Sequence, residues 1–246
     1  MSIHDERPDL TRGWMIVSKQ SYWPLCYEAL EQIEKTRALI GTGDRQEVAA
    51  AFEKSGAWLN LAASAANLGG QGGIQGAADR MSDVAQELSD TDAKISDERL
   101  TDLTTLALVC VAKSHVVRAE APDTESASTK SVALQKPKEK KPELKEIEKE
   151  IAAERRERDL AQYRYDTLES RRHLTAAQEY LKAAIKAGHL ELKDPSVMTA
   201  IPEVPAVSTK AGEMVLYADN EIRPLIKSLG EVVENQRLAL VKKLDN

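Results

Sequence analysis

The sequence predicts an all-α protein, and three observations support that prediction. The chain has 246 residues, of which only ten are aromatic, whereas Ala, Leu, Glu and Lys, the strong helix formers, are abundant. Apolar residues recur at helical spacing, and Gly, Pro and capping residues separate these stretches. A hydrophobic content of 42% suffices for a real core. We therefore expect an N-terminal helical bundle, a disordered charged linker and a C-terminal long helical hairpin.

The N-terminal helices are predicted from local signals. A first helix begins at Trp23-Pro24, since proline suits the first helical turn, and it stops at Gly41. Asp44 and Glu47 then form a capping box that opens a second helix. This second helix carries apolar residues from Val48 to Leu68. Together the two helices predict a helical hairpin.

A glycine-rich stretch, residues 69–76, follows the second helix. It resembles a phosphate loop in its glycines only, because it follows a helix and lacks the lysine of such loops. We expect a flexible interhelical loop here. A third helix (77–88) and a fourth, beginning near Ser96, complete the bundle. The apolar run Leu106–Ala112 could be a buried strand, but its helical flanks favour a central helix. Residues 1–120 thus form a bundle with an N-terminal arm.

Composition changes sharply after the bundle. Residues 121–142 contain almost nothing apolar and predict a disordered linker. Residues 143–246 predict a long helix, opened by Pro142 and ending near Ala187, and a last helical region that Pro224 kinks or restarts. The charged turn 154–159 indicates that the first third of the long helix projects into solvent.

A weak internal echo relates the two halves, since residues 57–68 resemble residues 179–190. Duplication would make the halves two related helical lobes. Shared helical composition explains the echo about as well.

No pattern in the chain indicates a catalytic, cofactor-binding or metal site. The four histidines are scattered one per region, without the Glu-x-x-His pairs of a di-iron bundle. Glu169 and His173 lie one helical turn apart, which favours an ordinary surface or interlobe ion pair over proton transfer. Cys26 and Cys110 lie in apolar helical patterns, so we expect two buried reduced thiols rather than a disulfide or a reactive thiol.

Charge offers one candidate binding segment. The net charge is -6, yet residues 130–172 hold 13 basic and 10 acidic side chains. Phosphate or partner contacts are therefore expected, if anywhere, from residues 136–158. The candidates are Lys138, Lys140, Lys141, Arg155, Arg156 and Arg158.

We predict the class of function mainly from the absence of recognisable catalytic, cofactor-binding and metal-binding motifs. The first residues are acidic where a signal peptide would be basic, and no apolar run reaches the roughly 20 residues of a membrane span, so we expect a cytoplasmic protein. We expect a non-enzymatic scaffold or adaptor, oligomeric or coiled-coil in character, whose partner is another protein or a second copy. Two alternatives stay open. The chain could be a subunit of a nucleic-acid-handling complex, or a helical enzyme with a dispersed active site that no sequence motif identifies.

Overall fold

A computed structural model describes residues 21–66, 68–90, 94–120, 142–203 and 217–245, without the side chains of 142–150 and a few others. Within these ranges the regular structure is helical throughout and contains no strand, which confirms the all-α prediction. The helices are α1 (Tyr22–Leu39), α2 (Arg45–Ala65), α3 (Leu68–Ser89), α4 (Asp97–Glu120), α5 (Pro142–Gly188) and α6 (Arg223–Leu244). A 3₁₀ turn (Pro195–Met198) and a π turn (Ala218–Ile222) lie between α5 and α6.

The first helices form where the local signals predict them. The Glu47 backbone amide donates to Asp44 Oδ1 at 2.8 Å, and the Asp44 amide donates to Glu47 Oε2 at 3.3 Å, so the capping box at the start of α2 is confirmed. Along α1 to α4, successive helices pack on one another. The helical hairpin α1–α2 is thus confirmed.

Helix α4 is the central element of the molecule. Helices α1, α3, α5 and α6 all contact it, and it is buried on every side from Asp102 to Ala112. The helical interpretation of Leu106–Ala112 is confirmed. By length and composition alone α4 could cross a membrane, but 83% of its most apolar window is buried inside the fold, and core helices pass the same test.

Helices α5 and α6 both lie along α4. Ser170 of α5 donates to the carbonyl oxygen of Ala119 at the end of α4, and the last residue of α5, Gly188, lies beside Thr105 nearer the start of α4. Along α6, Gly230 lies beside Val116 and Lys243 contacts Asp102. Both helices therefore run antiparallel to α4 and parallel to each other. The two C-terminal helices thus both pack on α4 but do not form the expected antiparallel hairpin, because the connection 189–222 returns the chain to the other end of the molecule.

The glycine-rich stretch 69–76 is not a loop, contrary to the sequence-based prediction, because it lies inside α3. A Cβ atom at Gly70 would lie only 2.9 Å from Ser114 Cα, and one at Gly73 would contact Cys110. These glycines therefore bring the backbone of α3 close to α4, and this tertiary packing outweighs their low helix propensity.

The other C-terminal predictions are confirmed where the structure describes them. Pro224 stands in the first turn of α6, directly after the π turn, as the predicted restart requires. Buried apolar side chains from all six helices meet in one continuous cluster. The predicted arm (1–20), the linker up to residue 141 and the start of the last helical region (208–216) lie outside the described residues.

Candidate functional site

Two histidines meet in the interior where α4 and α5 cross. His115 Nδ1 and His173 Nδ1 are 2.9 Å apart, and the two side chains are 0% and 3% exposed. At that distance one Nδ1–H donates to the other ring, so the accepting ring is neutral. The sequence-based view that the histidines are scattered is therefore wrong for this pair.

Aromatic rings from α1 and α5 enclose the histidine pair. Trp23 stacks on His173 with 4.6 Å between ring centroids and an interplanar angle of 16°. Tyr22 meets the edge of His115 at 5.0 Å, and Tyr180 stacks on the same ring at 5.4 Å. Three helices thus converge on two imidazoles, which fixes the position of α5 relative to the bundle.

A buried arginine completes this cluster. The Arg118 guanidinium lies 4.0 Å from the centroid of the Tyr22 ring, and its Nη2 donates to the carbonyl oxygen of Ala65 at 2.6 Å. That carbonyl belongs to the last turn of α2, where helical carbonyls have no helical partner. Arg118 therefore joins α4 to α1 and to the end of α2.

Burial and this arginine keep the two histidines neutral. Burial, followed by the charges of Arg118 and Arg172, lowers the pKa of His173 to about 3. Burial, followed by His173 and Arg118, holds the pKa of His115 well below its ordinary value. Because a proton on either ring would be buried near a guanidinium, the pair is stable only in its neutral form.

The thiols of the chain are buried and free, as predicted. Burial raises the pKa of Cys26 and that of Cys110 to about 12, so neither forms a thiolate readily. Cys26 lies beside Tyr22, whose hydroxyl is near Ser114 without a hydrogen bond of good geometry. The cluster is therefore polar, but the Cys26 thiol in it is not activated as a nucleophile.

The ion pair expected between Glu169 and His173 does not form. Glu169 contacts Arg172 instead, at 3.6 Å, while His173 turns inward to His115. The cluster that includes both histidines acts as an anchor, because it holds the C-terminal half of α5 on the bundle. Its imidazoles line neither of the two clefts described below.

The N-terminal half of α5 has a different environment. Every buried side chain described on α5 lies at Thr167 or beyond. Before that point apolar side chains face solvent: Ile151 is 44% exposed and Tyr165 is 56% exposed, and Leu168 just beyond is 42% exposed. This half of the helix therefore extends past the bundle, as the charged turn predicted.

The basic candidates are divided between described and undescribed residues. Arg155 and Arg158 are exposed on the projecting half of α5. Lys138, Lys140 and Lys141 lie outside the described residues, as does the side chain of Arg156. The predicted basic binding segment stays a prediction.

A groove lies at the base of the projecting half, between α5 and the start of α1. Its volume is about 650 Å³. Its lining combines exposed apolar surface with charges at the rim: Trp23, Pro24, Tyr27, Glu28, Leu168, Arg171, Arg172, Thr175, Ala176 and Glu179. The Arg172 guanidinium lies 4.4 Å from the Trp23 ring centroid, which orders one wall of the groove.

A smaller cleft of about 350 Å³ separates the end of α4 from the start of α6. Asp166, Thr167 and Ser170 form one wall, and Arg223 and Lys227 form the other. Its lining thus combines acidic and basic side chains. Among the described residues no group of three or more His, Cys, Asp and Glu side chains is placed to hold a metal ion.

Comparison with protein-family models, with curated proteins and with solved structures finds no match to this chain. The histidine pair escaped sequence analysis because 58 positions separate its members. The available signal was local: both histidines lie within the apolar faces of long helices, where an exposed polar residue is not expected.

Proposed function

We propose that this protein is a non-enzymatic assembly or adaptor protein that acts through protein–protein contacts made by the projecting half of α5. The observation that carries the proposal is the exposure of Ile151, Tyr165 and Leu168 on a helix whose other half is firmly anchored. An apolar helix face presented by a rigid body is a common way to bind another protein.

The anchor supports this function because it gives the projecting helix a defined direction. The histidine pair, Trp23 and Arg118 hold α5 against α1 and α4 at its base. A partner that binds such a preorganised helix loses little conformational entropy in ordering it. A cytoplasmic location is part of the proposal, and the two free thiols favour such a reducing compartment.

The proposal is tested by affinity purification of the tagged chain from its own host, followed by mass spectrometry and a 260/280 nm absorbance ratio. The wild type is compared with Tyr165→Glu, which places a charge in the exposed stripe. We expect a stoichiometric protein partner, or untagged copies of the chain itself, that the variant loses.

Lys182→Glu serves as the matched control, because Lys182 is exposed on the same helix within the anchored half. It should retain the partner. Recovery of no protein by the wild type would refute the assembly role. Nucleic acid that leaves at high salt would replace it with the nucleic-acid alternative, since phosphate contacts are salt-sensitive.

A further inference from the structure

We propose that the projecting half of α5 pairs with the same segment of a second copy of this chain, as an antiparallel two-helix coiled coil centred near residue 156. This inference rests on the proposed function and names its partner.

The stripe has the spacing of a coiled-coil seam. Counting steps of three and four residues from Leu144 gives one line of positions along the helix: Leu144, Ile147, Ile151, Glu154, Arg158, Ala161, Tyr165 and Leu168. All of these from Ile151 onward are exposed in the structure. The line spans 25 residues, about 37 Å at 1.5 Å per residue.

This seam lies on the side of α5 opposite the side that packs into the core. The helix uses Ser170, His173, Leu174 and Ala177 to contact the core. At about 100° per residue these positions point roughly opposite to Tyr165 and Leu168. A second helix can therefore lie on the seam, and it meets the bundle of the other chain only near Leu168, where the seam reaches the groove beside α1.

Two polar residues in the seam select the antiparallel arrangement. Antiparallel pairing centred near residue 156 places Glu154 opposite Arg158 of the second copy, twice by symmetry. The same register places Leu144 opposite Leu168, Ile147 opposite Tyr165 and Ile151 opposite Ala161. Every layer of the seam is then apolar or oppositely charged.

The parallel arrangement is unfavourable because of the same two charged residues. In a parallel, in-register pair each residue meets its own copy, so Glu154 faces Glu154 and Arg158 faces Arg158. Like charges in the seam oppose association. The charge pattern thus commits the surface to a two-fold symmetric, self-complementary contact.

The groove at the base of α5 gives the tip of the second helix a place to bind. Leu168 belongs both to the seam and to the groove, together with Trp23 and Tyr27. In the proposed register the segment around Leu144 of the second copy lies at this point.

Charge exchange within the seam tests the proposal, with sedimentation equilibrium of the purified full chain as the measurement. Glu154→Arg should weaken the dimer, because it places two arginines opposite each other; Arg158→Glu should do the same with two glutamates. Each single exchange should raise the dissociation constant at least about tenfold, as expected when a like-charge contact replaces an ion pair. The double exchange should restore the dimer.

Glu231→Arg, an exposed charge reversal on α6, is the matched control and should leave the dimer intact. Circular dichroism checks that each variant is folded. A monomeric wild type, single exchanges without effect, or a double exchange that fails to recover the dimer would each overturn the inference.

Orientation is tested by disulfide formation. A mixture of Ile147→Cys and Tyr165→Cys chains should cross-link, because these positions are opposed in the antiparallel pair; the buried native thiols contribute little background. Cross-linking of Ile147→Cys chains with one another would instead overturn the antiparallel arrangement.

Failure of the self-pairing and failure of the proposed function are distinguishable. A monomeric purified chain that still recovers a different protein through Tyr165 would disprove self-pairing and retain the adaptor role. A chain that recovers no protein in any form would disprove both.

Discussion

At the scale of single residues, the interior combines groups that are costly to charge. His115 and His173 share one hydrogen bond beneath Trp23, with the cation of Arg118 nearby. Because they are buried in the neutral form, the two imidazole rings can pack between α4 and α5. This arrangement lowers the stability of the folded state only as the pH falls.

The stability of the protein should therefore depend on pH through these histidines. Both pKa values are depressed in the folded state, that of His173 from 6.5 to about 3. Above pH 6.5 the histidines of the unfolded chain are neutral and the folded state keeps its full stability. As the pH falls below 6.5, the two histidines bind protons in the unfolded chain but stay neutral in the folded chain. The free energy of unfolding therefore declines by up to about 1.4 kcal/mol per pH unit for each histidine.

Urea unfolding between pH 7.5 and pH 5 measures this slope, in a window above the ordinary titration of carboxylates. His173→Asn keeps a polar group near the Nδ1 position but removes the titration, and should make the slope shallower. Equal slopes for the wild type and His173→Asn would contradict the buried pair.

Core packing at the residue scale distinguishes two large side chains of α2. Phe52 is 0% exposed, whereas Trp58 is only partly buried and lines a surface cleft. Phe52→Ala should cost about 3 to 5 kcal/mol of unfolding free energy, the range for a buried aromatic. Trp58→Ala should cost clearly less, because part of the indole already faces water. Thermal and urea unfolding compare them, and an equal loss for both would show that Trp58 is as buried as Phe52.

At the scale of elements, α3 shows how packing can decide a helix. Its first turns contain five glycines, Gly69, Gly70, Gly72, Gly73 and Gly76, which local propensity assigns to a loop. The close approach of Gly70 to Ser114 has no counterpart at Gly72, where an added Cβ would meet nothing within 4 Å. The two positions therefore separate the packing role of glycine from its propensity cost.

Alanine substitutions should act in opposite directions at these two positions. Gly70→Ala should destabilise the protein by roughly 1 to 3 kcal/mol, since the new methyl group collides with the α4 backbone. Gly72→Ala should stabilise it by about 0.5 to 1 kcal/mol, since alanine is the better helix former. Denaturation midpoints measure both, and a stabilising Gly70→Ala would show that α3 does not approach α4 closely.

The same contrast explains which elements the sequence predicts. Helix starts follow from contacts within a few residues, as at Asp44 and Glu47 or at Pro224, and these predictions hold. The glycine helix depends on Ser114, and the candidate anchor depends on His115 meeting His173; these contacts join residues that are distant in the sequence. The exposed half of α5 was predictable because its charged turn leaves few apolar residues to bury.

At the scale of the whole molecule, α4 joins the two halves of the chain. Helices α5 and α6 pack on it alongside α3, and one apolar cluster runs through all of them. A cut between the halves therefore need not separate them. This arrangement changes what limited proteolysis of the chain should show.

We expect proteases to cut first between Ala121 and Lys141, where the composition predicts a linker. The two fragments should then stay together, because α4 contacts both α5 and α6. Size-exclusion chromatography of the cut protein should show one species that separates only in denaturant. Fragments that separate without denaturant would show that the two halves do not share a core.

We claim that two copies of the chain pair through the seam on the projecting half of α5, and the mass of two neighbouring variants tests this pairing most directly. Ile151 lies in the seam, whereas Ala152 is also exposed but points away from it. In sedimentation equilibrium, the wild type and Ala152→Glu should have twice the chain mass of 27.1 kDa, and Ile151→Glu should have that mass once. The same mass for all three proteins, whether single or double, would contradict the claim.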